Sequence, residues 1–220
     1  MVIVSRAARL ASGGAIALVV CFAACSKSDV GTAHGPQAVP KAVPKTAAPS
    51  SRAVVGKVPI VAGVRPIVAL DVRDNQTLPP KDREPVLDQY VLTFFPEVLF
   101  IRTGQSAEFR NSDGVLHNVR VRVSGTNVPA FNIALPSGGV YRHVFDGKGL
   151  YDVLCDIHSG MSATIVVSST PYATIVDEGG AFVFDDVPPG KYMVTVYSST
   201  QRRLERNIDV GDGRTEVNIE

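Results

Sequence analysis

The sequence has no tryptophan, only three cysteines, and almost no surplus of either charge. Lys and Arg number 22 and Asp and Glu number 21, so the formal net charge is +1. This balance gives no support for a nucleic-acid partner. Cys21 and Cys25 fall in the first segment and Cys155 lies far from both, so no structural disulfide is expected.

Helical periodicity is also missing, and short alternating segments separated by turn residues take its place. Val119, Val121 and Val123 alternate with two arginines, a pattern typical of a strand with one face in water. Residues 125–139 are predicted to be irregular. Many short strands at regular spacing predict an all-β chain, as a sandwich or a barrel. Before residue 146 the predicted strands are 54–61, 66–72, 90–95, 97–102, 106–110, 119–123 and 140–145.

One short loop collects three side chains that bind metals well. Cys155, His158 and Met161 follow the spacing C-x2-H-x2-M, between an alternating run at 151–155 and a predicted strand at 162–167. Two soft sulfur donors and an imidazole favour copper over magnesium or calcium. The blue-copper arrangement is two His and one Cys with a weak axial Met. His117, at the start of another alternating strand, provides the second imidazole.

The segment His117-Asn118-Val119, followed by residues 149–161, resembles the cupredoxins, the superfamily of plastocyanin, pseudoazurin and amicyanin. The short ligand loop is similar to that of amicyanin. The resemblance implies a Greek-key β-barrel with one type 1 copper. Many relatives have proline just before the second ligand histidine, whereas this chain has Asp156-Ile157, which puts a carboxylate beside the thiolate.

Carried over onto this chain, the resemblance assigns each copper ligand to one residue. His117, Cys155 and His158 would be the equatorial ligands and Met161 the axial one. Metal binding is expected to keep Cys155 as a thiolate. Asn118 either hydrogen-bonds across to the ligand loop, as residues around metal ligands do, or is an ordinary strand-edge amide.

Three further polar residues suggest a metal role, and a simpler interpretation is favoured for each. Asp113 lies in Ser-Asp-Gly, which is typical of a turn. Asp156 is a hard oxygen donor that suits a soft site poorly. His143 lies on an alternating strand and is interpreted as a surface histidine.

Residues 1–25 are predicted to be a targeting segment and no part of the fold. Arg6 and Arg9 precede an apolar stretch that is short for a spanning helix. The stretch ends Phe22-Ala-Ala-Cys25, which resembles a bacterial lipobox and implies lipidation of Cys25. Phe22 departs from the usual leucine, so plain signal-peptidase cleavage stays the alternative.

Residues 26–52 are rich in Pro, Ala, Lys and Ser and are predicted to be an extended, disordered tether. Removing the first 24 residues leaves 20 basic against 21 acidic side chains, so long-range steering of partners is expected to be weak. A lipidated chain would lie on the periplasmic face of a bacterial membrane. Ser26 favours the outer membrane, because it is not the Asp of a retention signal.

The tail at 170–220 reads as a separate unit of about five strands. Asp-Glu-Gly-Gly-Ala-Phe-Val-Phe at 177–184, with Val-Pro-Pro-Gly-Lys-Tyr at 187–192, resembles the carboxypeptidase-regulatory, transthyretin-like β-sandwich. Some fifty residues is lean for a sandwich, and 53–73 look like its missing first strands. We therefore expect the cupredoxin domain, 87–169, to be inserted into the sandwich; two consecutive domains are the alternative.

Together these features predict a type 1 copper electron-transfer protein of the cell envelope. Its expected partners are a periplasmic redox protein and, through the N-terminal lipid, a membrane; no small-molecule substrate is expected. A single ligand set without a nucleophile–base pair argues against an enzyme. A copper carrier without redox turnover stays the alternative.

Overall fold

The computed structural model describes residues 52–60, 62–73, 78, 83–198 and 203–219. The targeting segment with Cys25 and almost all of the tether lie outside the described residues, so the expectations placed on them stay predictions. Across the described part of the chain the structure has sixteen strands and no helix, which confirms the all-β prediction. Among these same residues no helix is long and apolar enough to cross a membrane.

The strands, in chain order, are β1 Ala53–Lys57, β2 Ile67–Val72, β3 Val86–Tyr90, β4 Thr93–Phe95, β5 Val98–Arg102, β6 Gln105–Asn111, β7 His117–Val123, β8 Pro129–Leu135, β9 Val140–Phe145, β10 Gly149–Leu154, β11 Ser162–Ser168, β12 Ala173–Ile175, β13 Ala181–Asp185, β14 Gly190–Tyr197, β15 Arg203–Val210 and β16 Thr215–Asn218.

Strands β3 to β11 form two sheets around one apolar core. The five-stranded sheet has the order β5-β11-β10-β7-β8 and the four-stranded sheet the order β4-β3-β6-β9. Alternation along each strand sends every second side chain inward, so Phe109, Val121, Val153 and Ile165 are fully buried in the same cluster. Phe109 packs edge-to-face on Phe131, with ring centroids 5.1 Å apart. Removing a ring of this kind costs about 3–5 kcal/mol.

Two predictions for this region are wrong. The predicted strand 90–95 is a hairpin, because Val91 and Leu92 form a turn between β3 and β4 with φ of 52° and 55°. The predicted irregular segment 125–139 contains β8, which pairs with β7 at the edge of its sheet. Pro129 opens β8, and proline is tolerated at such a first or edge position, which hides the strand in the sequence pattern.

The other seven strands form two further sheets. β1 lies between β13 and β16 in a three-stranded sheet, and β2 lies between β12 and β14 in the order β12-β2-β14-β15. Leu70 and Tyr192, both fully buried, belong to the cluster between them. The chain thus forms two strands here, continues through β3 to β11, and returns for five more. The proposed domain boundaries and nesting stay predictions.

A third apolar cluster joins β2 and β14 to the five-stranded sheet. Ile67, Ala69 and Tyr197 pack with Val166 of β11, and Phe100 of β5 lies against them. Polar contacts reinforce the same junction at the segment after β11. The Ser169 N–H and hydroxyl both donate to the buried Asp71 carboxylate, at 2.7 and 2.9 Å, and the Thr170 hydroxyl donates to the Leu70 carbonyl at 2.5 Å.

Candidate metal centre

Two imidazoles and one thiol converge in the part of the chain that forms strands β3 to β11. The Cys155 Sγ lies 3.9 Å from the Nδ1 atoms of both His117 and His158, and those two nitrogens are 2.9 Å apart. All three ligand atoms lie within 4.8 Å of one another. His117 and Cys155 are buried, His158 is half-buried, and Cys155 carries a free thiol.

The strands account for this convergence. His117 is the first residue of β7, and β10, which pairs with β7, ends one residue before Cys155. The loop then turns back tightly. Cys155 N–H donates to the Met161 carbonyl at 3.3 Å, and Met161 N–H donates to the His158 carbonyl at 3.4 Å. Gly160, with a φ of 95°, supplies the left-handed backbone that this turn requires.

Met161 completes the predicted set from the inner side of the loop. Its side chain is 3% exposed and belongs to the same apolar cluster as Cys155. The structure therefore places all four predicted residues at one site. The ligand role of the Met161 thioether stays a prediction.

Asn118 contacts the ligand loop through its amide. Its Oδ1 accepts a 2.6 Å hydrogen bond from the Asp156 N–H, and its Nδ2 donates to Asp156 Oδ2 and Asn132 Oδ1, at 3.1 and 2.9 Å. Asp156 also pairs with Arg120, Nε to Oδ1 at 2.8 Å. The carboxylate of Asp156, beside Cys155, is thus held by polar side chains of β7 and β8.

Asp113 is a neighbour of His117 that the sequence pattern did not predict. Its Oδ2 lies 2.9 Å from His117 Nε2, although a turn role alone was expected for it. Its carboxylate also accepts from the N–H groups of Val91 and Leu92, at 2.6 and 2.9 Å. These donors, with Leu92 first and His117 next, hold the pKa of Asp113 below its ordinary value. The only sequence signal was an acid four residues before a histidine that is a predicted ligand.

His143 lies outside the ligand cluster, in β9. Its ring packs among Phe131, Tyr141 and Phe145, with the nearest centroids 4.7 and 4.8 Å away. The expectation of a surface histidine is therefore only partly right, because the ring is half-buried. Burial in this aromatic group lowers the pKa of His143.

The donor set fits a soft transition metal. Metal–nitrogen and metal–sulfur bonds of about 2.0–2.3 Å, as zinc makes, keep two donors of one ion at most about 4.5 Å apart. The three measured separations of 2.9, 3.9 and 3.9 Å satisfy this limit. Because an ionised carboxylate only accepts, the contact with Asp113 requires a proton on His117 Nε2, and the other ring nitrogen, Nδ1, faces His158 and Cys155. Thiol, imidazole and thioether donors together suit copper.

No protein-family model and no curated protein sequence matches the chain. Solved structures do. A purple cupredoxin from Nitrosopumilus maritimus is 24% identical over 39% of this chain and 100% of its own length, with a TM-score of 0.35. The amicyanin of Paracoccus versutus is 17% identical over 45% of this chain and 97% of its own, with a TM-score of 0.36.

A copper-containing nitrite reductase from Thermus scotoductus SA-01 is 26% identical over 44% of this chain, with a TM-score of 0.36. This chain spans only 25% of that enzyme. These three solved structures, a purple cupredoxin, an amicyanin and a copper-containing nitrite reductase, are each matched over less than half of this chain.

Proposed function

We propose that this protein is a type 1 copper electron-transfer protein. The observation that supports this most directly is the convergence of two imidazole Nδ1 atoms and one thiol within 4.8 Å, with a buried methionine on the same loop. When bound, copper supplies a one-electron couple. Burial and hydrogen bonds restrain the side chains of this site, and a restrained site suits electron transfer because little has to move.

The two buried members of the proposed ligand set are fixed by different parts of the fold. His117 is fully buried, and its Nε2–H is held by Asp113. Cys155 is buried at the end of β10, and its N–H is bonded to the Met161 carbonyl. His158 is the only half-buried member, so its ring edge is the proposed path between the site and a partner.

The proposed partner is a redox protein that docks around His158. Val115, Leu116 and Ile157, which flank the two histidines in sequence, are all large apolar side chains about half exposed. Such exposed groups suit a short-lived protein contact. Because the chain has almost no net charge, we expect the contact with the partner to depend on apolar burial more than on electrostatic steering.

The proposed location is the periplasmic face of a bacterial membrane, reached through lipidation of Cys25. A lipid and a 26–52 tether would raise the concentration of the site near a membrane-bound partner. Cys25→Ser should release the protein into the soluble periplasmic fraction. A Cys21→Ser variant is the matched control and should stay bound. Equal membrane binding of wild type and Cys25→Ser would remove the lipid from the proposal.

The function is tested on residues 50–220 loaded with Cu(II), by optical and electron paramagnetic resonance spectra. An intense visible thiolate-to-copper band is expected. Cys155→Ala should abolish it, whereas Met161→Gln should keep the band and lower the reduction potential. His143→Ala is the control histidine and should change neither. A band that survives in Cys155→Ala would contradict the proposal.

The reduced state distinguishes electron transfer from copper delivery. An electron-transfer protein should keep its copper through repeated reduction and reoxidation, because both oxidation states use the same ligands. Equilibrium dialysis of the reduced protein against a Cu(I) chelator measures this. Rapid loss of the metal would favour the carrier alternative.

A further inference from the structure

The carboxylate of Asp113 is fixed from several sides before it meets His117. Its oxygens accept from two backbone N–H groups, those of Val91 and Leu92, which cannot rotate away. Its own N–H donates to Asn111 Oδ1 at 2.9 Å, and its carbonyl accepts from the Ser137 hydroxyl at 2.6 Å. The carboxylate therefore has one orientation available, and in that orientation Oδ2 lies on His117 Nε2.

The turn that supplies the two N–H groups adopts an unfavourable backbone. Val91 and Leu92 both have positive φ, although neither is glycine and valine is β-branched. Their side chains are 66% and 52% exposed, so apolar burial does not explain this geometry. The hydrogen bonds to Asp113 do explain it. Backbone strain that is maintained by one side chain, here Asp113, is a reason to look for a function of that side chain.

The consequence for His117 is electronic as well as geometric. A carboxylate acceptor on Nε2–H fixes the proton on that nitrogen and leaves the Nδ1 lone pair free for a metal. A charged acceptor also withdraws the proton more strongly than a neutral carbonyl does, which makes Nδ1 a stronger donor. His117 is fully buried, so water does not weaken this interaction.

We propose that Asp113 is a positioning residue of the metal site, which sets the tautomer and donor strength of His117 and thereby lowers the reduction potential of bound copper. The proposal deepens the proposed function and rests on it. The direction follows from charge, because a nearby anion and a stronger donor stabilise Cu(II) more than Cu(I).

The first test needs no metal. In apoprotein with 15N-labelled histidine, long-range proton–nitrogen NMR should show His117 with its proton on Nε2 and a bare Nδ1. In Asp113→Ala this single tautomer should be lost. A wild-type His117 protonated on Nδ1, or a tautomer unchanged in Asp113→Ala, would overturn the proposal.

The second test uses the copper-loaded protein. Asp113→Asn should raise the reduction potential and change the copper hyperfine coupling. Asp88→Asn is the matched removal of one charge, because the Asp88 carboxylate bonds to Arg110 and Ser112, away from the ligands. It should leave both quantities unchanged. Equal potentials for wild type and Asp113→Asn would refute the role.

A further variant separates turn geometry from charge. Leu92→Gly keeps the N–H that bonds to Asp113 and removes the side chain from a left-handed position. If the carboxylate acts through His117, this variant keeps the wild-type tautomer and potential. A potential that shifts as far as in Asp113→Asn would assign the effect to the turn and overturn the proposal. If wild type binds no copper, the proposed function fails, and the apoprotein tautomer alone decides the role of Asp113.

Discussion

Asn118 shows how one amide can hold a ligand loop in place. It is 7% exposed and makes hydrogen bonds to the backbone and the side chain of the residue after Cys155. Its partner Asn132 is exposed and bonds to the same carboxylate only at 3.4 Å. The two asparagines therefore differ in burial and in whether a backbone N–H depends on them.

Asn118→Ala should destabilise the apoprotein by about 2 kcal/mol, because it leaves the Asp156 N–H without its acceptor. Urea unfolding followed by circular dichroism measures the change. Asn132→Ala is the control and should cost less than about 1 kcal/mol. Equal losses in both variants would mean that the Asp156 N–H is satisfied in another way.

At this scale the four predicted ligand residues could be proposed from the sequence, and the residues that hold them in place could not. Cys, His and Met identify themselves by chemistry, and three of the four share one loop. Asp113 does not, because its contact with His117 depends on a turn 21 residues earlier whose own sequence, Val91-Leu92, contains no turn former. Arg120 was predicted to face water, and only the paired strands bring it to Asp156.

At the junction near Ser169, the Asp71 carboxylate has two kinds of partner, the hydrogen-bond donors of Ser169 and the ammonium group of Lys148. The carboxylate is 2% exposed and accepts twice from Ser169, while Lys148 Nζ lies 3.8 Å away and is partly exposed. The hydrogen bonds should dominate, because a loose pair with an exposed lysine contributes little.

Asp71→Ala should therefore cost roughly 3 kcal/mol of unfolding free energy, since it leaves two half-buried Ser169 donors unpaired and removes a buried carboxylate from its partners. Lys148→Ala should cost less than about 1 kcal/mol. Chemical denaturation of both variants decides between the two contributions. A larger loss for the lysine variant would reverse this assignment.

Among the elements, the β3–β4 hairpin is the clearest departure from local preference. A two-residue loop with positive φ at both positions favours Asn-Gly, whereas this chain has Val-Leu. The sequence pattern predicted a continuous strand at 90–95, and valine, one of the two turn residues, is enriched in strands. The distant Asp113 overrides that preference.

Replacing Val91-Leu92 by Asn-Gly should stabilise the protein by about 1–2 kcal/mol, since it removes left-handed strain from two residues. Thermal unfolding should show the gain. The Ala-Ala variant removes the same exposed side chains but keeps much of the strain, so little change is expected. Stabilisation by Ala-Ala equal to that by Asn-Gly would point to side-chain exposure in place of backbone strain.

Strand β14 contains a buried tyrosine, Tyr192, that makes the folded state less stable at high pH. Burial, and next the nearby Tyr172, raise the pKa of Tyr192 from 10.0 to about 12, and its hydroxyl donates to the Pro188 carbonyl at 2.9 Å. The unfolded chain ionises near pH 10 and the folded chain near 12. The contribution of Tyr192 to stability is thus complete below pH 10 and is lost as pH rises through 12.

Between those pH values the loss should reach on the order of 3 kcal/mol. Denaturation curves at pH 9 to 12 should fall more steeply for wild type than for Tyr192→Phe. The variant still declines, because burial also raises the pKa values of Tyr151, Tyr172 and Tyr197. Parallel curves for the two proteins would contradict the assignment.

Over the whole molecule, the strand pairings suggest an experiment that would test the nested-domain hypothesis. β1 and β2 are interior strands of sheets whose other members all come after residue 172. The sequence suggested this pairing of early with late strands because residues 170–220 are few for a complete β-sandwich. Periodicity alone could not predict the register, because each pairing joins segments about a hundred or more residues apart.

Deleting residues 1–73 should unfold the part after residue 170, because both of its sheets lose a central strand. Hydrogen exchange at β14 and β15 reports on this directly. Two consecutive domains would instead leave those strands protected. The control deletion of residues 1–51 removes neither β1 nor β2 and should leave the exchange pattern unchanged.

The position of β1 also has a mechanical consequence. The strand nearest the N-terminal segment is gripped on both sides, by β13 antiparallel and by β16 parallel. A pull on residue 52 would load two rows of hydrogen bonds together, whereas an edge strand would peel away from one. A protein attached to a membrane at that end would therefore resist a pulling force until both rows of hydrogen bonds broke together.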